Sequence, residues 1–212
     1  MITFSYLLLA AACLGLCFWL WPRKATLHAP AQGALKAVWV ALVLVVITAL
    51  LLGLAGIGLQ ADALQHAQRM IGLAAQHMSL PLLGLACLYL GRGLRWKPVI
   101  WSQIILGLLA FYQLAQYLEW QSAYQWLVNL IGALCLVLTA LLYLRRDRRI
   151  SLYCLVAVVA LLIPAALGNT LPLATLLSAG QQASWLLPGF VAAGLAVGLL
   201  AEQAHNRDSH SQ

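Results

Sequence analysis

The chain has 212 residues, of which 64% are hydrophobic and only 8% charged, and its formal net charge is +7. A soluble domain carries charge on roughly a quarter of its residues, so this chain cannot cover itself for water and its solvent must be mostly lipid. Its continuous Leu/Ala-rich runs exclude a β-barrel, whose strands alternate in polarity, and the excess cations have no aromatic–basic surface of the nucleic-acid-binding kind beside them.

The fold class expected is therefore all-α, a polytopic bundle whose members each need about 20 apolar residues to cross the hydrocarbon core. The first span covers residues 4–21. Its cations, Arg23 and Lys24, follow the apolar run instead of preceding it. The run is also longer than the ~7–15 residues of a signal-peptide core, so an uncleaved helix with its N-terminus outside is expected. Cys13 and Cys17 share one face of it. With Cys87, Cys135 and Cys154 they make an odd set, all within apolar runs, which predicts small packing residues rather than a disulfide framework.

The second span covers residues 37–59 and ends in a glycine cluster, Gly53, Gly56 and Gly58, suited to close helix approach in lipid. A polar stretch follows, in which Asp62 is placed to cap a helix running on into the third span, 70–90. That span carries Gln76, His77, Ser79 and Pro81 inside an apolar run, and His77 is the one readily titratable side chain well inside any span. The fourth span, 98–118, opens on Pro98, which suits a first helical turn. Gln113, Gln116, Tyr117 and Trp120 recur on one face of its far end.

The fifth span, 125–144, has Asn129 near its start and a cluster of arginines at its end. The sixth, 150–167, contains Pro164. Residues 168–183 are apolar but too broken to cross, which predicts an interfacial turn or a re-entrant piece. The seventh span, 184–201, offers Gly194 and Gly198 as a packing face, and the polar tail 202–212 is expected to be disordered.

Seven spans put every Lys and Arg except Arg69 on one side of the membrane. The positive-inside rule makes that side cytoplasmic, which predicts an outside N-terminus and a cytoplasmic C-terminus; the membrane expected is a bacterial inner membrane. On this threading His77 lies about 10 Å deep from the outer face, Gln113 about 8 Å and Asn129 about 6 Å. Polar groups at depth usually face the bundle interior, and consecutive helices are usually neighbours. The expectation is thus a cavity open to the outside between the third, fourth and fifth helices, lined by Gln76, His77, Tyr112, Gln113, Gln116, Tyr117, Glu119 and Asn129.

The chemistry such a site could carry is limited. No lysine lies in a late helix for a retinal Schiff base, and His77 lacks a second intramembrane histidine for b-type haem. No zinc-ligand cluster or phosphate loop is present. No metal, cofactor or catalytic residue is therefore assigned. The reading that fits best is a non-catalytic subunit, assembly factor or sensor in the lipid bilayer, binding a membrane-protein partner or a lipophilic ligand and no nucleic acid. One alternative is a small transporter built from a three–one–three arrangement, since the third and seventh helices share a loose Gln-to-Pro pattern. A second is a lipid-modifying enzyme with His77 as acid or base.

Overall fold

The computed structural model describes residues 2–24, 27, 29–57, 62–94, 96–168, 170–177 and 183–209. Gly58, Gln182 and the last three residues of the tail lie outside them. Among the described residues the chain forms seven helices long and apolar enough to cross a membrane: α1 (Ile2–Leu20), α2 (Ala29–Gly56), α3 (Asp62–Arg92), α4 (Pro98–Tyr117), α5 (Gln121–Tyr143), α6 (Arg148–Leu167) and α7 (Ala183–Ser209). No strand occurs among the described residues. In lipid a backbone must satisfy its own polar groups, and these apolar runs do so as helices.

Local chemistry sets several of the ends. Pro98 opens α4 after an extended Lys97. Asp147 caps α6, its carboxylate accepting from the Arg149 N–H at 3.0 Å. α3 starts at Asp62 and runs unbroken for 31 residues past Pro81. The proline lacks the N–H that would bond the carbonyl four residues back, which is that of His77.

Two differences from the sequence reading concern extent. α2 begins at Ala29, whereas α3 starts at Asp62 and takes in the polar stretch before residue 70, as the expected helix start there implied. α7 continues to Ser209, so the expected disordered tail is helical there. Docking explains this: Glu202 pairs with Arg23, whose Nε donates at 3.1 Å, and the Gln203 amide donates to Asp147 at 3.0 Å.

The packing order differs from chain order. α1 packs on α2, α2 on α3, α3 on α5, α5 on α6, α6 on α7, and α7 back on α1, with α3 also reaching α7. Six helices therefore close a ring. α4 lies outside it, touching α2, α3 and α5. Only 11% of α4's apolar window is buried, against 72% of α3's. α4 touches its chain neighbours α3 and α5 but does not come between them, because α3 and α5 pack directly on each other. A Cβ on Gly132 would lie 2.6 Å from the Leu80 carbonyl oxygen, and one on Gly84 would strike the Gly132 backbone.

α4 is held near its two ends. At one end Trp101 fills the space beside Gly33 of α2, where a Cβ would come within 2.6 Å of the ring, and it packs edge-on to Tyr89 and tilted against Trp96. At the other end Tyr112 meets His77 of α3. Halfway along, Gly107 has nothing within 4 Å of where a side chain would begin.

Residues 170–177 fold back over the bundle at the end where α3 begins. They contain one turn of 3-10 helix, Ala174–Leu176, and bury Leu173 and Leu176. Three polar side chains grip their carbonyls. Tyr6 donates to Thr175 at 2.6 Å, Gln68 to Leu177 at 3.0 Å and Gln76 to Pro172 at 2.8 Å.

Candidate functional site

The buried polar groups of α3 and α5 meet under this cap. Gln76 Nε2 donates to the Pro172 carbonyl at 2.8 Å and reaches Gln125 Oε1 at 3.5 Å. Asn129 Nδ2 donates to the Gln125 carbonyl at 2.8 Å and to the Gln76 carbonyl at 3.2 Å. The small side chains at the α3–α5 crossing allow this, because they bring the two backbones within amide reach of each other. Gln76 and Asn129 are fully buried and Gln125 is 3% exposed. Carbonyl acceptors fix both amide orientations, so Gln76 Oε1 and Asn129 Oδ1 are left as acceptors without a hydrogen bond.

His77 points to a different side of α3. Its Nδ1 lies 2.5 Å from the Leu73 carbonyl and must donate there, which leaves Nε2 with a lone pair and no hydrogen bond. The ring forms a three-membered aromatic cluster with two tyrosines, its centroid 4.1 Å from Tyr112 and 5.9 Å from Tyr124, which lie 6.5 Å from each other. The Tyr124 hydroxyl donates to the Leu108 carbonyl at 2.8 Å, tying the start of α5 to α4. His77 is 2% exposed.

The structure therefore brings Gln76 and Asn129 into one hydrogen-bonded node and His77 and Tyr112 into an adjacent aromatic cluster. It does not bring in the rest. Gln113, Gln116, Tyr117 and Glu119 are all exposed, because α4 stands outside the ring and turns these residues away from α3. Nor is the node open: the polar groups are sealed between α3, α5 and the 170–177 cap instead of lining an outward cavity. Gln125, Tyr124 and the Pro172 carbonyl belong to the cluster, and the sequence reading did not assign them to it. Gln125 lies four residues before Asn129, on the same helical face, and that spacing was the available signal.

Among the described residues no group of three or more His, Cys, Asp or Glu side chains gathers to hold a metal ion. All five cysteines are buried and free.

A mixed set of polar and apolar residues stands on the outer face of α4. Val99, Leu106 and Gln113 recur every seven residues, as do Gln103, Ala110 and Tyr117, and all six are exposed. Interleaved, they form a single seam along the helix, the seven-residue repeat by which one helix packs on another.

No family model matches the chain, and neither does any curated protein or solved structure. Its seven apolar helices make it a multi-pass membrane protein.

Proposed function

We propose that this chain is a non-catalytic membrane subunit that associates with a transmembrane helix of a partner through the outward face of α4. The observation that carries the reading is the exposed pair Gln103 and Gln113 on the α4 seam. Intramembrane polar residues almost always face protein or water, and glutamines on membrane helices hydrogen-bond across to other helices. An α4 seam of this kind left to lipid alone would leave those amides unpaired. Small and aromatic residues, Ala110 and Tyr117, accompany them, as a helix-packing surface needs. The same reading keeps the N-terminus outside and the arginine-rich loops in the cytoplasm of a bacterial inner membrane, on the strength of the charge asymmetry.

The alternatives draw less support. A lipid-modifying enzyme using His77 needs a hydroxyl or carboxylate at its free nitrogen, and Nε2 has no hydrogen bond. A transporter needs a path to the polar node, which the Gln76 bond to Pro172 closes.

A photo-crosslinking amino acid placed at Gln113, and separately at Leu106, tests the proposal in native membranes. Discrete protein adducts are expected at both positions. The same label at Leu152, exposed on α6, is expected to give none. Identical crosslinking at all three positions, or at none of them, would remove the subunit reading.

A further inference from the structure

A groove of about 410 Å³ runs between α2 and α4 at the end of the bundle that carries the arginine-rich α5–α6 loop. Gly33, Lys36 and Val40 of α2 face Trp101, Ser102 and Ile105 of α4 across it. Its polar lining is rich in donors. Trp101 is 3% exposed, yet its indole Nε1–H makes no hydrogen bond. That nitrogen lies 3.2 Å from where a Gly33 side chain would begin, so the indole packs directly on the bare Gly33 backbone at the groove wall. Lys36 is exposed and forms no ion pair among the described residues.

The first turn of α4 has no side-chain cap and no acidic residue, so the positive end of the helix dipole lies beside the groove, although Pro98 has no N–H and the Ile100 N–H already donates to the Lys97 carbonyl at 3.0 Å. No Asp or Glu lines the groove. Gln32 also lines it, its amide N–H donating to the Leu27 carbonyl at 2.9 Å, and the remaining walls are aliphatic. Across Lys36 lies a second, almost wholly apolar recess of about 240 Å³, lined by Leu20, Leu35 and Val40 and by the contacting rings of Trp21 and Trp39.

A buried indole donor, an ammonium group and an uncapped helix start around one space call for an anion with several acceptor oxygens. Two apolar channels, the aliphatic wall of the groove itself and the recess beyond Lys36, suit hydrocarbon chains. We infer that the α2–α4 groove is a binding site for an anionic phospholipid. Its phosphate accepts from Trp101 Nε1–H, the Ser102 hydroxyl and Lys36, and its acyl chains lie along Val40 and Ile105 and in the recess beside Trp39. A soluble phosphate would share the headgroup chemistry but leave the channels empty, so the lipid is the occupant that satisfies both halves of the site.

The test uses the full chain purified in neutral detergent and offered phosphatidylglycerol or phosphatidylcholine, with retained lipid counted by native mass spectrometry. Phosphatidylglycerol should be retained preferentially, and Lys36→Glu should cut that retention about fivefold or more, the scale of one basic contact with an anionic lipid. Trp101→Phe should also lower it, while Lys36→Arg and the remote Arg145→Gln should leave it as in the unaltered protein. Melting curves check that each variant is folded; if Trp101→Phe is not, the two Lys36 variants still decide. Equal retention of the two lipids would overturn the assignment, as would phosphatidylglycerol retention indifferent to Lys36→Glu. Stabilisation by glycerol phosphate equal to that by the lipid would overturn it as well.

Discussion

Gly132 of α5 sits against the Leu80 carbonyl of α3 so closely that a Cβ would lie 2.6 Å from the oxygen. The contact is backbone on backbone, and neither chain segment can yield as a flexible side chain would. Gly132→Ala should therefore force the two helices apart and cost about 1–3 kcal/mol, the usual range for overpacking. Gly107→Ala is the matched control: with open space at that position, it should be neutral or gain up to about 1 kcal/mol from helix propensity. Thermal unfolding in detergent, read by circular dichroism, separates the two.

The amide node makes a second prediction. Asn129→Ala removes the donor that bridges the Gln76 and Gln125 carbonyls, and should cost about 1 kcal/mol, typical of interhelical hydrogen bonds in membranes. Gln76→Ala should cost a similar amount by freeing the Pro172 carbonyl. The double variant should lose less than the sum, because both side chains serve one cluster. Additive losses in a double-mutant cycle would mean the two amides act separately.

Tyr6→Phe should loosen the 170–177 cap without disturbing the ring of helices. It deletes only the hydroxyl that donates to the Thr175 carbonyl, a bond worth about 1 kcal/mol. Leu176 is fully buried, so a cysteine there should resist maleimide in the parent and react several-fold faster beside Tyr6→Phe, about the factor that such an energy implies. Unchanged labelling would show that Gln68 and Gln76 hold the cap alone.

Threading can be checked with the same reagent. The native cysteines, all buried, should stay unlabelled until the protein is denatured. Cysteines introduced at Arg69 and Arg146, at opposite ends of the bundle by an odd number of crossings, should then label from opposite faces of the membrane. A membrane-impermeant maleimide added to intact cells is expected to reach Arg69→Cys and to miss Arg146→Cys. Reaction at both would break the seven-span order.

What the sequence made legible was governed by solvent. Runs such as that of α5 announce their helices because lipid admits little else, and Asp62 and Pro98 mark helix starts by their own chemistry. Neighbour relations were less legible. Gly84 and Gly132 are two unremarkable glycines until their helices are superposed, and their meeting displaces α4 from the place that chain order suggests. The same displacement divides the polar residues read as one site: Gln76 and Asn129 stay inside, while Gln113 and Gln116 are carried outward. The Pro172 carbonyl could not be anticipated either, since a backbone acceptor leaves no trace in residue type.

The arrangement of α4 has a consequence for biogenesis. Because the other six helices close on themselves, α4 can dock last, swinging in on its Trp101 anchor until Tyr112 reaches His77. A helix that arrives late is also the one most easily borrowed, so assembly with another protein can proceed by claiming this single stave while the rest of the barrel stays shut.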